Sequence, residues 1–594
     1  MTNINSQIIG NLGESTTSVR VRGVHADPTG AGSAVYYTGS YSGLGVEVNN
    51  NLDNSTNLSF KNLVGTSSSQ KIFISKTNME TTGNNSILNY DMIQLVSEGQ
   101  PNGYDPNMGG YAITSAPNGI YATGQWSGTV LMLGFDGIFD NQATDPGGTN
   151  NNSAFYNPDG TGESSNIFLT FAPKTSFGNN NTGGATGSGK KIGTTFGCAT
   201  APFTVRAYGI DTDNTFVYIC GSYSGSDLKL GNSSLEYQGT STNGFLACFS
   251  QTGLALLNRG DVAYTPQWAI SFSGSGDVEI LDVFATPSAT VQITGYSRGS
   301  NLNVLDTYGT NIGTYTGNSS DNNILAFDII WSNPQILSSM FISSDNQDAT
   351  LTNFDGDCGR GINNGMVVGN IVGSGSINYR SEFEGKTANG TTNITQGGVE
   401  GGNIIVFQAF SSLYLNRPPT TLTRATSLIG IFSHSSPFGV GDRALAITSD
   451  SNYFYMTGQI NSTGVSFLSD PGNITSSNSA INDSLNPSRG FLYVMPNNNA
   501  GAGDLLGYGS GFSLFQLGCS QTAGCSASIE AVSTANNDLF LGGQFNDNRA
   551  FFYNTDLTLR YPIIQDSVAA NPAPFAESTQ GLVIDITGST LFTG

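Results

Sequence analysis

Charged side chains are scarce in this sequence. Asp, Glu, Lys and Arg make up 11% of 594 residues, and only 21 are basic against 43 acidic. A net charge of −22 with no dense basic run excludes a nucleic-acid binder, because phosphate recognition needs clustered Lys and Arg. An anionic membrane surface would repel the chain for the same reason. Histidine is rarer still: His25 and His434 are the only two, and neither lies in a nucleophile elbow or at metal-ligand spacing. That leaves almost no room for a His-activated nucleophile. Six cysteines are too few for a disulfide framework, and no Cys-x-x-Cys or Cys/His zinc pattern occurs. No apolar run reaches the roughly 18 residues that a membrane helix needs. The N-terminal Met-Thr-Asn-Ile-Asn-Ser-Gln carries neither the basic nor the apolar segment of a signal peptide. Neither a transmembrane helix nor a leader is therefore expected. Solubility falls to Asn, Ser, Thr and Gly. Yet 10% of residues are aromatic and sit in regularly placed apolar runs, which argues against disorder.

One phrase recurs along the chain. It reads Ala34-Val-Tyr-Tyr-Thr-Gly-Ser-Tyr-Ser-Gly43, Ile120-Tyr-Ala-Thr-Gly-Gln-Trp-Ser-Gly128 and Val217-Tyr-Ile-Cys-Gly-Ser-Tyr-Ser-Gly225. Degenerate copies place its glycine at 295, 369, 458, 543 and 594, after 39, 124 and 221. Repetition at such a period means an array or a closed ring of similar units. Each phrase is a β-type run, preceded by a second apolar run and an Asp/Asn/Pro/Gly turn, as in Tyr111-Ala-Ile-Thr114 before Pro117-Asn-Gly119. A Phe-rich run follows, for example Asn166-Ile-Phe-Leu-Thr-Phe171 and Gly244-Phe-Leu-Ala-Cys-Phe249. A closing run such as Gln267-Trp-Ala-Ile-Ser-Phe-Ser-Gly-Ser-Gly276 completes four strands per unit, the plan of a β-propeller blade.

Strand, turn, Tyr-x-Thr-Gly-x-x-Ser-Gly and Phe-rich strand together resemble the bacterial-type SBBP β-propeller repeat over essentially the whole chain. The resemblance implies a surface or extracellular propeller and says little about activity. The expected fold is all-β: one propeller over 1–594, built of four-stranded antiparallel blades. Eight blades are favoured, with seven and a spare C-terminal hairpin as the alternative. The repeats run over 14–104, 105–200, 201–276, 277–350, 351–440, 441–520, 521–572 and 573–594 plus 1–13. Gln7–Gly13 should complete the last blade, so that N- and C-terminal strands pair and two sheet edges disappear. Polar insertions at 44–68, 130–164, 174–200 and 374–401 read as surface loops.

Candidate chemistry is sparse. The phrase glycine falls inside a strand and marks a bulge or a close backbone approach rather than a phosphate loop. Cys220 holds the slot filled elsewhere by Thr38, Thr123, Thr294 and Thr457, so packing explains it. Cys519 and Cys525 flank a turn and are candidates for a hairpin-closing disulfide in an oxidising environment. Asp345, Asp348, Asp355 and Asp357 are the weak candidates for a metal site, with Ca2+ the ion their oxygens would suit, although no EF-hand pattern is present. Asp211-Thr-Asp213-Asn214 sits in a hairpin turn and reads as plain turn chemistry. A sialidase-like propeller would need an arginine cluster, and the arginines look scattered.

The expectation is therefore non-enzymatic: a structural or binding propeller of an external assembly, on a virion surface or capsid. A bacterial or archaeal cell-surface adhesion or glycan-binding propeller is the alternative, and a glycoside hydrolase the lesser one. Partners would be proteins of the assembly, with glycans as a further class, met through polar loops and aromatics such as Tyr41, Trp126 and Tyr223. Packing between blades is the competing role for those aromatics.

Overall fold

In a computed structural model the described residues are almost wholly β, with one short helix among them, Gln251–Leu256. The described residues run from Ser6 to Thr593, less connecting segments. The longer ones are 12–18, 28–33, 51–56, 62–69, 80–87, 99–107, 136–152, 157–163, 175–191, 257–263, 348–354, 394–402, 411–426, 435–441, 470–477, 482–488, 497–512, 518–526, 557–581 and 585–590.

The described strands form a propeller arrangement around seven innermost strands: Val19–Asp27, Gly109–Ala116, Thr204–Thr212, Val278–Ala285, Cys358–Asn363, Arg443–Ser449 and Ala527–Ala535. Each packs against the next and the last against the first, which defines sectors one to seven. The approach is close. A Cβ on Gly23 would come within 3.0 Å of Ala112 Cα, and one on Gly209 within 3.0 Å of Asp282 Cα. Ala26 N–H donates to Ser533 Oγ at 3.0 Å across the junction of sectors seven and one.

Every innermost strand carries a bulge at the same step, directly opposite the phrase glycine of the second strand. The bulges lie between Val21/Gly23, Gly110/Ala112, Ala207/Gly209, Ile280/Asp282, Gly359/Gly361, Ala444/Ala446 and Ile529/Ala531. The extra residue tilts the strand and drives a carbonyl into the space a side chain would need. A Cβ on Gly39, Gly221 or Gly458 would collide with the carbonyl oxygen of Arg20, Arg206 or Arg443 respectively. The threonine before the glycine secures the other side of the same strand. Thr38, Thr123 and Thr294 donate to the carbonyls of Phe73, Phe168 and Leu325 at 2.8, 2.7 and 2.9 Å. The Thr-Gly pair thus joins the second strand to its first and third neighbours, which explains why the dipeptide recurs.

Blade size and number both differ from expectation. Six blades have six strands each, and sector six holds a four-stranded sheet. The two added strands are a hairpin donated by the following sector. Leu228–Leu230 and Ser233–Leu235 leave sector three to pair with the outer strand of sector two. Asn301–Asp306 and Asn311–Thr316 leave sector four for sector three. The polar segments read as loops at 44–68, 130–164 and 374–401 contain such hairpins, among them Ser376–Phe383 with Lys386–Asn393. Ile192–Cys198, within 174–200, is the fourth strand of sector two. Sector six has no donated hairpin because Phe545 and Arg549, ending and starting adjacent strands of sector seven, are too close in sequence to hold one. An eighth blade is absent among the described residues: Leu591–Thr593 pairs only with Leu582–Ile584, as a separate two-stranded sheet.

Closure uses the N-terminal strand, one unit earlier than expected. Ser6–Asn11 lies between Arg549–Asp556 and the donated Gly45–Asn50, antiparallel to both. The terminal unit 573–594 is not its partner.

Packing between sheets is aromatic-rich. Tyr41, Trp126 and Tyr223 are all 0% exposed, so they are core residues and not contact anchors. Among the described residues the exposed large apolar side chains are Tyr308 and Ile312, on the hairpin that sector four donates.

Candidate functional site

Aligning the innermost strands on their bulges places two residues per strand at the centre of the ring. The extra bulge residues are Arg22, Tyr111, Tyr208, Leu281, Arg360, Leu445 and Glu530. All but Leu281, at 9%, are partly buried rather than sealed in the core. Two positions earlier stand Arg20, Gly109, Arg206, Glu279, Cys358, Arg443 and Ser528, several of which reach back to the preceding sector.

These residues touch one another across blades. The Arg22 guanidinium lies 4.5 Å above the Tyr111 ring, close to Gly109, where the missing side chain leaves it room. The Tyr111 and Tyr208 rings are 5.8 Å apart. Arg206 Nη1 donates to the Tyr208 hydroxyl at 3.4 Å. Glu279 accepts from Tyr296 at 2.9 Å and from Ser222 at 3.3 Å, and it bonds Tyr208 as well. Burial raises the Glu279 carboxyl above its ordinary range despite those bonds. Arg360 Nε donates to Asn370 Oδ1 at 2.7 Å, and Arg443 pairs with Asp355. The arginines that look scattered in the sequence converge here; the signal that finds them is their fixed offset from the bulge.

Further along the same strands lies a second ring, made of hydrogen bonds between neighbouring sectors. Asp211 Oδ2 accepts from Ala285 N–H at 2.8 Å, and Asp282 Oδ2 from Ile362 N–H at 2.8 Å. Their second oxygens accept from Thr212 N–H at 2.8 Å and Val283 N–H at 2.9 Å. Ser449 Oγ with Asn363 Oδ1 at 2.6 Å and Thr534 Oγ1 with Ser449 O at 3.3 Å continue the pattern. Both carboxylates are thus engaged by backbone and tie one blade to the next.

Burial raises Asp282 to about 7 and Asp211 to about 6, in each case against the pull of those N–H donors. Asp357 is likewise raised by burial to about 6, whereas burial lowers His25 to about 4. The sign follows from proton counting. An Asp with a raised folded pKa holds its proton in the folded chain while the unfolded chain has lost it, so stability rises as pH falls from about 7 towards 4. His25 acts oppositely between its ordinary 6.5 and about 4, but it is one group against these three aspartates together with Asp328, raised by burial to about 6, and Glu279, also raised by burial. The chain should therefore melt higher at pH 5 than at pH 8, by about 1–3 kcal/mol of stability. Thermal scans across that range test this. A Tm that is flat or falls towards pH 5 contradicts it.

The three acidic candidates that are described, Asp345, Asp355 and Asp357, each take a different partner. Asp357 is fully buried and organises a loop: its oxygens accept from Ser344 N–H at 2.5 Å, Gln347 Nε2 at 2.9 Å and Val372 N–H at 2.8 Å. Asp345 accepts from Asn378 Nδ2 at 2.6 Å, and Asp355 is held by Arg443. Asp348 lies outside the described residues. No three His, Cys, Asp or Glu groups converge as a metal site among the described residues. Asp213 does act as turn chemistry, its Oδ1 accepting from Thr215 and Phe216 N–H at 2.6 Å each and Oδ2 from the Tyr218 hydroxyl at 2.7 Å. Asp450 repeats this with Tyr453 N–H and the Tyr455 hydroxyl at 2.7 and 2.8 Å.

Cys519 and Cys525 lie outside the described residues. Cys198, Cys220, Cys248 and Cys358 are buried free thiols. The strand register sets Cys220 against Leu246 and Cys248 against Tyr218, so these two are not opposed. Cys198 and Cys358 belong to strands rather than to loops.

No protein-family profile matches the chain, and no curated protein is similar to it in sequence.

Proposed function

We propose that the chain is a non-enzymatic structural and binding propeller of an external assembly, on a virion surface or capsid. The observation that carries this reading is the hairpin exchange, in which each of six blades is sealed along its outer edge by strands of the next sector or, across the closure, of the first. Interlocking of this kind resists opening at the rim, where an isolated blade would expose an unpaired edge. It suits a body held permanently among neighbours. The surface chemistry agrees: few charges, a net −22 and abundant Asn, Ser, Thr and Gly favour hydrogen-bonded protein contacts over nucleic acid or membrane. The fine repeat type belongs to the same proposal, as a propeller of the SBBP kind. That likeness favours, as a second reading, a bacterial or archaeal surface protein that binds glycans or other cells.

Purification from the native source tests both. The first reading expects the chain at fixed stoichiometry in a symmetric particle. Recovery on a cell envelope favours the second. A free soluble monomer that cleaves a glycoside panel overturns the non-enzymatic reading altogether.

A further inference from the structure

We infer that the axial mouth framed by Arg22, Tyr111, Tyr208, Arg360 and Leu445 binds a small carboxylate ligand of the acidic-sugar class. This goes beyond the assembly reading and does not depend on it.

The first argument is charge placement. Two central positions on each of seven strands make fourteen, and five of these are arginine: Arg20, Arg22, Arg206, Arg360 and Arg443. The whole chain has only 21 Lys and Arg in 594 residues, so this density is not background. Three acids stand nearby, and two are already engaged: Glu279 is buried among hydroxyl donors, and Asp355 is held by Arg443. Glu530, bonded by Ser528 Oγ at 3.2 Å, is the third. An acidic protein thus concentrates positive charge at one point on its axis, where the low-dielectric walls of the ring focus it.

The second argument is residue type. The innermost strands hold no lysine at all. A diffuse electrostatic role would accept either cation, whereas the planar guanidinium fork matches a carboxylate with two parallel hydrogen bonds. The third is the company those forks keep. Tyr111 and Tyr208 on one side and Leu445 on the other stand between Arg22 and Arg360 around the ring, giving the aromatic and apolar surface that the C–H face of a pyranose needs beside its charge.

The test uses the full-length chain with D-glucuronate, its methyl ester, glucose and inorganic phosphate, followed by titration calorimetry and ligand-observed NMR. Glucuronate should saturate with a Kd of about 1 mM or tighter. The methyl ester, which keeps the ring and loses the charge, and glucose should each bind at least about tenfold weaker. Arg22→Gln and Arg360→Gln, in protein that still unfolds cooperatively, should each weaken glucuronate by about tenfold. Lack of saturation by glucuronate overturns the proposal. So do equal affinity for ester or glucose, phosphate binding tighter than glucuronate, and unchanged affinity in a folded variant. The ester comparison needs no variant, so a folding defect in either substitution leaves the proposal falsifiable.

Discussion

Gly221→Val should destabilise the propeller by about 3–5 kcal/mol, the largest effect expected of any single substitution here. A side chain at this position meets the Arg206 carbonyl head on, and the Phe245 ring edge would stand 2.8 Å from its Cβ. Neither can yield cheaply. The carbonyl belongs to the bulged innermost strand, and that strand is packed on both sides by neighbouring sectors. The cost is steric alone, because the backbone of Gly221 is not left-handed. Gly239→Ala supplies the contrast. That glycine has φ +108 with nothing within 4 Å, so it should cost only backbone strain, about 1 kcal/mol. Denaturant midpoints of the two variants measure the difference. If Gly221→Val melted like Gly239→Ala, the bulge would not be what fixes the glycine.

That glycine is also where the sequence speaks most clearly. The Thr-Gly phrase, its position inside a strand and its crowded setting follow from Tyr37-Thr-Gly39, Ala122-Thr-Gly124 and Ile293-Thr-Gly295, because one local contact set repeats in each unit. The apolar runs of the first four strands are legible for the same reason: both their faces are buried, as in Phe216–Ser224 and Asn243–Ser250. The donated hairpins are not legible. Asn311–Thr316 is largely exposed, and Lys386–Asn393 reads Lys-Thr-Ala-Asn-Gly-Thr-Thr-Asn. The outermost strand of such a hairpin needs no alternating apolar face, unlike its inner partner Asn301–Asp306, which buries Leu302 and Val304, so its pairing comes from backbone bonds that composition does not encode. The arginine mouth is hidden for a different reason. Each bulge inserts one residue, which turns Arg22 or Tyr208 out of the alternation that a regular strand would impose. Residues as distant as Arg22 and Arg360 come onto one ring only once the sheets close. Hydrogen-bond donors, absent from any spacing rule, draw Asp355 and Asp357 of the 345–357 segment to different partners.

Deleting residues 1–11 should open the ring and lower melting by at least about 5 °C. Ser6–Asn11 is the only described strand that bridges sector seven's own strands to the hairpin donated by sector one, with five aligned residues on each side. Its loss bares two edges at once, those of Arg549–Asp556 and Gly45–Asn50. Unpaired edges recruit other chains, so the truncated protein should also form dimers and larger species on size-exclusion chromatography. A synthetic peptide of residues 1–11 added in excess should restore both melting and monomer by mass action. The opposite end makes the control. Leu582–Ile584 and Leu591–Thr593 pair only with each other, so deleting 582–594 should leave ring melting unchanged. Equal losses from the two deletions would mean that closure does not run through the N-terminal strand. A loss confined to the first would place the latch of the ring in its first strand, although the chain carries a further copy of the repeat phrase at its far end.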